Sequence, residues 1–266
     1  MKVLQVQRRP VRFQDYIKRR AQPEDCSKVI DEPCIVMEGD KRICIYDVLK
    51  EDTSALASAM HKVKYQTTTR TSGLKTTSRI FGYSPRNILR KDFCGSTSLS
   101  TEAPNIHSII GQFAKILTKH YREKAPEIFD KHMSLAKKIK KEWVMPDSVF
   151  TSGIINKNNP LKYHFDTGNF KEVYSCMLVL RKNVQGGLLC LPEFDTAFML
   201  KNNAVFMFDG QQIVHGVTPM QTVGDGYRYS LVFYALRQMW KCLTVDEEIA
   251  RIRTLKMQRE LKRVTK

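Results

Sequence analysis

The stretch NAVFMFDGQQIVHGVTPMQTVGDGYRYSLVFYAL, residues 203–236, decides the fold that we expect for this chain. It contains short apolar runs at 203–208, 212–215 and 228–236, and Val223-Gly-Asp-Gly226 forms a turn signal before the last of them. Short apolar runs separated by Gly and Asn are typical of strands. Similar runs precede this stretch at 148–155, 162–166, 173–180, 187–191 and 197–200. So many short strands predict a double-sheet jelly roll.

Two helices are predicted before these strands, so the expected fold class is α+β, with a jelly-roll core flanked by helices. Apolar residues recur at helical spacing over 105–121, and a second helix is predicted over 126–141, with a proline in its first turn. We expect both helices to pack on one side of the sheet. Their histidines have no partner at metal-ligand spacing, and we interpret them as structural residues: His107, His120 and His132.

The length of 266 residues fits one large domain with additions at both ends. We expect residues 1–66 to form an N-terminal extension that packs on the core and contains two strands around a Gly39-Asp40 turn. Residues 67–240 would form the jelly-roll domain, with helical support from 105–141. Residues 241–266 would form a basic C-terminal helix, which begins at the capping box Thr244-Val-Asp-Glu247.

Residues 66–101 are rich in Thr, Ser, Arg and Gly and have few periodic apolar residues, so we predict a long polar loop. Such loops inside a domain are usually functional or disordered. The alternative interpretation is a simple solvated connection. The basic residues of this segment make it a candidate for gripping phosphates: Arg70, Arg79, Arg86, Arg90 and Lys91.

The formal net charge of +17 and the pI of about 9.6 favour a polyanionic partner, with nucleic acid ahead of an anionic membrane surface. A solvated, lysine-rich surface is the alternative interpretation. Because no apolar run reaches about 18 residues and the N-terminus lacks an apolar signal region, we expect neither a spanning helix nor secretion. The positive charge is concentrated in patches at Arg8-Arg9, at Lys18-Arg19-Arg20, over 86–91 and over 137–141.

The 7 cysteines are odd in number and include no CxxC pair. This usage argues against a zinc knuckle or a disulfide framework and predicts a reducing, intracellular compartment. Cys176 and Cys190 lie in apolar runs, where we expect them to act as small buried hydrophobic residues.

The segment Tyr163-His164-Phe165-Asp166 carries the strongest chemical signal. Residues two apart on a strand point to the same face, so His164 and Asp166 can act together. A second histidine, His215, lies in a later predicted strand. Two imidazoles and one carboxylate form the ligand set of a non-haem Fe(II) that keeps positions open for O2 and a co-substrate.

Arg228 and Ser230 also alternate by two, on the last predicted strand, and should share a face. A guanidinium can hold a carboxylate with two parallel hydrogen bonds, and a neighbouring hydroxyl can add a third. This pair suits the distal carboxylate of 2-oxoglutarate. An arginine on an edge strand, exposed to solvent, is the alternative interpretation.

Four segments together resemble the TET/JBP family of Fe(II)/2-oxoglutarate dioxygenases. They are TSGIINKNNPLKYHFDTGNF (151–170), GGLLCLPEFD (186–195), FDGQQIVHGVTP (208–219) and RYSLVFY (228–234), and the resemblance covers about residues 68–240. It implies a double-stranded β-helix. It also implies that the iron ligands are His164, Asp166 and His215, and that Arg228 and Ser230 contact 2-oxoglutarate.

The resemblance further implies hydroxylation of the 5-methyl group of a pyrimidine base, 5-methylcytosine or thymine, in nucleic acid. The expected partner is double-stranded DNA with a flipped base, because a methyl group inside a stacked duplex cannot approach a pocketed iron. We expect a monomer that acts inside the cell, in the nucleus of a eukaryote or in the host cell interior if viral.

Two positions depart from the pattern of some TET-like members. Leu236 stands where those proteins have a base-reading histidine, and Asn169 stands where they have an acidic residue that contacts the base. An amide both donates and accepts hydrogen bonds, so thymine and 5-methylcytosine both stay open. The candidate substrate residues are Phe165, Asn169 and Arg79.

Three other functions compete with this hypothesis. The first is a 2-oxoglutarate oxygenase acting on a protein or small molecule, which would not need the basic surface. The second is a nucleic-acid-binding module with an inactive metal site. The third keeps the DNA substrate and uses ascorbate as the reductant in place of 2-oxoglutarate.

Overall fold

The computed structural model describes residues 1–69, 75–87 and 92–264. Its strands are β1 (Lys2–Gln5), β2 (Lys28–Ile30), β3 (Cys34–Glu38), β4 (Lys41–Val48), β5 (Gln66–Thr69), β6 (Lys75–Ser84), β7 (Gly95–Ser96), β8 (Ser152–Lys157), β9 (Leu161–His164), β10 (Ser175–Gly186), β11 (Leu189–Leu191), β12 (Thr196–Phe198), β13 (Ala204–Phe208), β14 (His215–Val217) and β15 (Met220–Tyr234). Its α-helices are α1 (Phe13–Tyr16), α2 (Ser54–Lys62), α3 (Ser98–Glu102), α4 (Pro104–Lys124), α5 (Pro126–Ala136) and α6 (Val245–Val264).

The strands form two sheets. The larger sheet has 10 strands in the order β1-β3-β4-β13-β10-β15-β8-β6-β5, with β7 paired to β6, and the smaller sheet has the order β2-β12-β11-β14-β9. From β8 to β15 the chain passes repeatedly from one sheet to the other. This arrangement, with helices on one side, confirms the predicted α+β fold with a double-stranded β-helix core.

The central strands of the larger sheet are apolar on both faces. On β15, Tyr229, Leu231 and Phe233 pack toward the helices, whereas Val232 packs toward the smaller sheet. Strand β13, with the sequence AVFMF, is also buried along its whole length. A strand covered by helices on one face and by a second sheet on the other needs apolar residues at every position.

Helices α4 and α5 support the larger sheet as predicted. Each begins at a proline, Pro104 or Pro126, which fits the first turn because its missing N–H would have no intrahelical partner there. The second helix ends at Ala136, earlier than the predicted residue 141. The buried face of α4 consists of Ile110, Phe113, Ala114, Leu117, Thr118 and Tyr121.

Residues 1–66 contribute strands to both sheets. Strands β3 and β4 form the predicted hairpin around Gly39, which has a φ of 57°. Strand β4 pairs with β13, and β1 lies at the edge of the larger sheet, while β2 pairs with β12 in the smaller sheet.

The prediction of a long polar loop over residues 66–101 is wrong for the described part of that segment. Strands β5 and β6 form a hairpin, β6 pairs with β8, and α3 follows β7. Threonine is favoured in strands as a β-branched residue, and β6 is further held by the ring of Phe81, which packs on Phe233 with centroids 5.0 Å apart. Three of the basic residues named above, Arg70, Arg90 and Lys91, lie outside the described residues.

Two smaller expectations also fail. Residues 223–226 are part of β15 and do not break it, because β15 pairs with β10 as far as Gly186. Between the pairs Lys182–Tyr227 and Val184–Thr222 the register shifts by three residues, so residues 223–226 form an irregularity opposite Asn183. The run predicted as a strand over 212–215 becomes a strand only at His215.

The cysteines depart from the expectation of a chain without disulfides. Cys94 and Cys242 form a disulfide that links the segment before β7 to the segment before α6. The other cysteines are free and buried, as expected for Cys176 and Cys190. Since 148 residues separate the paired cysteines, their spacing gave no local signal of pairing.

Helix α6 follows the predicted capping box. The Oε2 atom of Glu247 accepts hydrogen bonds of 2.8 Å from both the backbone N–H and the hydroxyl of Thr244. Among the helices of the described residues, none is both long enough and apolar enough to cross a bilayer.

Candidate active site

Strands β9 and β14 bring His164, Asp166 and His215 together. The two histidines are directly paired across these strands, and their ring centroids lie 4.3 Å apart. Asp166 follows the end of β9, and its Oδ1 atom lies 3.8 Å from the Nε2 atom of each histidine. The potential ligand atoms of all three residues lie within 4.8 Å of one another.

Backbone carbonyls orient both imidazoles. The Nδ1 atom of His164 lies 2.8 Å from the carbonyl oxygen of Lys162, and the Nδ1 atom of His215 lies 3.0 Å from that of Ile213. Because a carbonyl only accepts hydrogen bonds, Nδ1 carries the proton in each ring, and the lone pair of Nε2 faces Asp166. The ring of Phe208 packs edge-on against His215, with centroids 4.9 Å apart.

The segment that follows β13 holds Asp166 in place. The backbone N–H of Asp166 donates a 2.8 Å hydrogen bond to the carbonyl of Gly210. A Cβ atom on Gly210 would lie 2.3 Å from Oδ2 of Asp166, so only glycine fits beside this carboxylate. The Nε2 atom of Gln211 donates 2.6 Å hydrogen bonds to the carbonyls of Asn169 and Phe170, which lie just beyond Asp166 in the chain.

Asp209 stabilises the turn of this segment. Its carboxylate accepts hydrogen bonds from the backbone N–H groups of Gln211 and Glu172 and from the side chain of Gln212. Burial nevertheless raises the pKa of Asp209 above its usual value, and these hydrogen bonds only partly offset that effect.

A second buried carboxylate supports His215. The Oε1 atom of Glu193 accepts a 3.1 Å hydrogen bond from the backbone N–H of Val214, and its Oε2 atom accepts a 2.7 Å hydrogen bond from Arg8. The side chain of Glu193 is fully buried, and this burial raises its pKa while Arg8 acts in the opposite direction. Arg8, in the N-terminal extension, thus pairs with the buried carboxylate of Glu193, which in turn holds the backbone next to His215.

The donor set fits Fe(II). Two neutral imidazole nitrogens and one carboxylate, all directed at one point, match the ligands of non-haem iron oxygenases, which leave positions open for O2 and a co-substrate. The backbone hydrogen bonds to both Nδ1 atoms are the outer contacts that metal-ligating histidines usually have.

Arg228 is a buried cation on the inner face of β15. It shares this face with Ser230 and Val232, and its side chain is 1% exposed. Among the described residues, its Nε and Nη2 atoms have no hydrogen-bond partner. Burial and, to a smaller extent, the charge of Arg181, its cross-strand neighbour, lower the pKa of Arg228 to about 10. A buried, unpaired guanidinium is costly, so this arrangement calls for an anion.

The site opens into a cavity of about 620 Å³ between the two sheets. This volume is within the range of pockets that enclose a small organic molecule. The metal-site residues form one part of its wall, and the side chains of His164 and Asp166 are 33% and 25% exposed there. The other lining residues include Ser78, Ile80, Ile154, Asn156, Leu161, Phe165, Asn169, Met177, Leu189, Phe208, Val217, Ser230, Val232, Tyr234 and Leu236.

The candidate substrate residues occupy different positions. Phe165 and Asn169 line the cavity beside the metal site, and the Nδ2 atom of Asn169 donates a 3.2 Å hydrogen bond to Ser175. Arg79 also borders the cavity, but its guanidinium forms an ion pair with Glu102 of α3.

Leu236 lines the same cavity as Asn169 and forms an isolated β-bridge with it. A leucine offers no side-chain hydrogen bond to a base. The polar side chains at this part of the wall therefore come from other residues, among them Asn169, Thr167 and Tyr234.

Sequence reasoning assigned no role to Glu193, Gly210 or Arg181. A signal existed for Glu193, because an acidic residue between Leu188 and Phe194 in an apolar run predicts a buried and paired carboxylate. No comparable signal marked Gly210, since glycine after a strand is also common in turns.

Comparisons with known proteins agree with this geometry. Residues 81–237, more than half of the chain, match the model of the Tet_JBP family, described as the oxygenase domain of the 2OGFeDO superfamily. Over 126 residues, the chain is 31% identical to the bifunctional helicase and thymine dioxygenase JBP2 of Trypanosoma brucei brucei (strain 927/4 GUTat10.1). That match covers 47% of this chain and 11% of the relative, so the chain spans a small part of the relative's length.

A solved structure of NgTET1 in complex with 5mC DNA has a similar fold. It superposes with a TM-score of 0.61 at 16% sequence identity, over 87% of this chain and 86% of that chain. Despite the low identity, the two chains share the same overall fold.

Proposed function

Since the chain belongs to the Tet_JBP family of 2-oxoglutarate/Fe(II) oxygenases, we propose that it hydroxylates the 5-methyl group of a pyrimidine base in double-stranded DNA. The co-substrates would be 2-oxoglutarate and O2. The base would be thymine, the substrate in the name of JBP2, or 5-methylcytosine, the modified base in the DNA bound to NgTET1.

One observation carries this proposal. The His-Asp-His cluster lies on the wall of the same cavity into which the inner face of β15 presents Ser230. Arg228 lies on that face, and its Nε and Nη2 atoms have no hydrogen-bond partner in the part of the chain that the structure describes. A metal site beside a buried anion site is what a dicarboxylate needs if one end binds iron and the other binds arginine.

Each residue has a separate task in this mechanism. His164, Asp166 and His215 would hold the iron, which together with 2-oxoglutarate and O2 supplies the oxidation of the methyl C–H bond. Arg228 would bind the distal carboxylate of 2-oxoglutarate, and the Ser230 hydroxyl would donate a further hydrogen bond to it. The apolar wall around Ile154, Val232 and other lining residues excludes water from the reacting groups.

The base would enter the cavity as a flipped nucleotide. A stacked base cannot bring its methyl group to a site between two sheets, and extrusion costs a few kcal/mol that contacts to the flipped base offset. Asn169 would hydrogen-bond to the base edge and Phe165 would contact its ring, since both line the wall next to Asp166. We propose that the enzyme acts as a monomer and inside the cell, in the nucleus of a eukaryote or in the host cell if viral.

Nucleoside analysis tests this function. The protein is incubated with Fe(II), 2-oxoglutarate and duplexes that contain either thymine alone or 5-methylcytosine, and the digested nucleosides are analysed by mass spectrometry. We expect a hydroxymethyl product from one of the two bases, and none when 2-oxoglutarate is replaced by ascorbate. The absence of an oxidised base on any DNA or RNA would contradict the proposal and favour a protein or small-molecule substrate.

An inactive variant and a matched control complete the test. Asp166→Ala removes the carboxylate of the metal site and should abolish both the product and Fe(II) binding. Asp225→Ala removes an exposed carboxylate that pairs with Lys182 away from the cavity, and should leave both intact. Equal succinate release by Asp166→Ala and the wild type would contradict the proposed role of the metal site.

A further inference from the structure

The N-terminal segment 8–20 contains six basic residues and one acidic residue, Asp15. Half of the basic residues are neutralised by ion pairs with buried or half-buried carboxylates. Arg8 pairs with Glu193 and Glu38, Arg9 with Asp195, and Arg19 with Asp25.

The other three, Arg12, Lys18 and Arg20, are exposed. Within residues 1–69, 75–87 and 92–264, none of the three has a carboxylate within ion-pair distance. The nearby carboxylates therefore neutralise three of the six basic residues, and the positive charge of the other three is available to a partner.

Backbone hydrogen bonds fix this segment to the strand that carries His164. The N–H of Lys18 donates a 2.9 Å hydrogen bond to the carbonyl of Tyr163, and the N–H of Tyr163 donates one of 2.9 Å to the carbonyl of Arg19. Arg20 forms an isolated β-bridge with Lys162. Lys18 has a φ of 67°, a left-handed conformation that lysine rarely adopts unless its surroundings impose it.

An aromatic contact extends the attachment to the cavity wall. The rings of Phe13 in α1 and Phe165 meet edge to face with centroids 5.5 Å apart, and Phe165 lines the cavity. Phe13 remains 38% exposed. The cavity wall at 164–167 is also solvent-accessible, because Thr167 is exposed. The segment that carries the three cations is thus attached to β9, which carries His164, and through Phe13 to Phe165 of the cavity wall.

We propose that Arg12, Lys18 and Arg20 form a phosphate-contacting edge of the active site, which binds the DNA backbone next to the flipped nucleotide. This inference rests on the proposed function, because it assigns the partner of this edge as the DNA substrate. The segment lies outside residues 81–237, which match the family model. The N-terminal extension would therefore contribute directly to substrate binding.

Phosphate contacts have a recognisable signature. They contribute affinity without base preference, and each neutralised phosphate adds about 0.9 to the slope of log affinity against log salt concentration. Removing these three cations should weaken binding of methylated and unmethylated duplexes by the same factor. It should not affect the metal site or the co-substrate site.

Fluorescence anisotropy with a labelled duplex over a series of salt concentrations tests the proposal. The variant is Arg12→Gln/Lys18→Asn/Arg20→Gln, in which asparagine tolerates the left-handed backbone at position 18. The matched control is Arg253→Gln/Lys256→Gln/Arg263→Gln, which neutralises three exposed cations of α6 that have no ion pair within the described ranges. We expect the Kd of the variant to rise at least 10-fold at low salt and its salt slope to fall by about 2 to 3. The control should change by less than 2-fold.

Two further readouts keep the interpretation unambiguous. Succinate release in the absence of DNA should be the same for both variants and the wild type, which shows that the site is intact. A variant with wild-type affinity and salt slope would overturn the proposal. Loss of binding to phosphatidylserine vesicles with unchanged duplex affinity would also overturn it, because the segment would then serve a membrane surface.

The proposed function can fail separately. If the wild-type protein oxidises no base in DNA, the hydroxylase proposal is wrong, while the anisotropy result still decides whether this edge binds DNA phosphates. If the wild type oxidises DNA and the variant binds DNA equally well, only the inference about the N-terminal segment is wrong.

Discussion

Gly210 lies against the carboxylate of Asp166 so closely that no side chain fits between them. A Cβ atom on Gly210 would be 2.3 Å from Oδ2 and 2.9 Å from Cγ of Asp166. The same glycine accepts the backbone hydrogen bond of Asp166. The position of the proposed iron-binding carboxylate therefore depends on the absence of a side chain at Gly210, in the segment between β13 and β14.

We predict that Gly210→Ala weakens Fe(II) binding by about 10- to 100-fold, because Asp166 must move away from the two histidines. Titration of the metal-free protein with Fe(II) under anaerobic conditions measures this change. Gly111→Ala is the matched control, since a Cβ atom at this position in α4 meets no other atom within 4 Å. It should leave iron binding unchanged and stabilise the helix by about 0.5–1 kcal/mol. Equal iron affinity of both variants would contradict the predicted role of Gly210.

Arg228→Met should weaken 2-oxoglutarate binding by about 10- to 100-fold, since it removes charge-assisted hydrogen bonds worth about 1.5–3 kcal/mol. The same change should raise the thermal stability of the protein without co-substrate, because an apolar side chain replaces a buried cation whose Nε and Nη2 atoms have no partner among the described residues. Thermal unfolding with and without N-oxalylglycine measures both effects. Arg253→Met, on the exposed face of α6, is the control and should change neither the stability nor the effect of the ligand. If N-oxalylglycine raised the unfolding temperature of Arg228→Met as much as that of the wild type, the carboxylate would bind elsewhere.

Glu193→Ala should destabilise the protein by about 1–3 kcal/mol, because it leaves the buried N–H of Val214 without an acceptor. Arg8 loses one of its two carboxylate partners and keeps the other, Glu38. Glu193→Gln keeps an acceptor for Val214 and should cost less. Urea unfolding measures the difference, and iron titration of the folded variants measures how well His215 stays in place. If Gln and Ala are equally destabilising, the hydrogen bond to Val214 has no role in stability.

His132 should make the protein sensitive to acid. It is fully buried on α5 among aromatic rings, and burial lowers its pKa to about 3 from an ordinary value of about 6.5. Below pH 6.5 the unfolded chain binds a proton at this position and the folded protein does not, so stability falls by about 1.4 kcal/mol per pH unit as the pH decreases toward 3. The contribution is constant above pH 6.5.

We therefore expect His132→Phe to reduce the loss of stability between pH 7.5 and pH 5.0 by about 2 kcal/mol. Urea unfolding at the two pH values provides the measurement. Ser134→Ala, on the same helix, removes no titratable group and should keep the pH dependence of the wild type. An identical pH dependence in His132→Phe would mean that acid acts through other groups.

The disulfide between Cys94 and Cys242 should stabilise the oxidised protein by about 2–4 kcal/mol, since it closes a long loop in the unfolded chain. Cys94→Ser should lose this contribution, and dithiothreitol should lower the stability of the wild type without affecting the variant. Cys176→Ser, at a free buried cysteine, is the control that should stay sensitive to dithiothreitol. Resistance of the wild type to dithiothreitol would contradict a stabilising disulfide.

Much of the fold followed from short-range patterns. The strands of the core were predicted from runs of apolar residues, and α4 and α5 from helical spacing with a proline in the first turn. Interactions between residues a few positions apart determine these elements, so a window of the sequence contains the information. The same reasoning failed over residues 66–101, where pairing with β8 gives strand structure to a polar segment.

The sequence alone determined which residues are the candidates for the chemistry. The two-residue spacings of His164 with Asp166 and of Arg228 with Ser230 placed each pair on one face, because the period of a strand is two. Only the tertiary structure decided that His215 meets His164, that Glu193 pairs with Arg8, and that Cys94 meets Cys242. These contacts join residues distant in the chain, and their formation depends on how two sheets and an N-terminal extension pack together, which local periodicity does not encode.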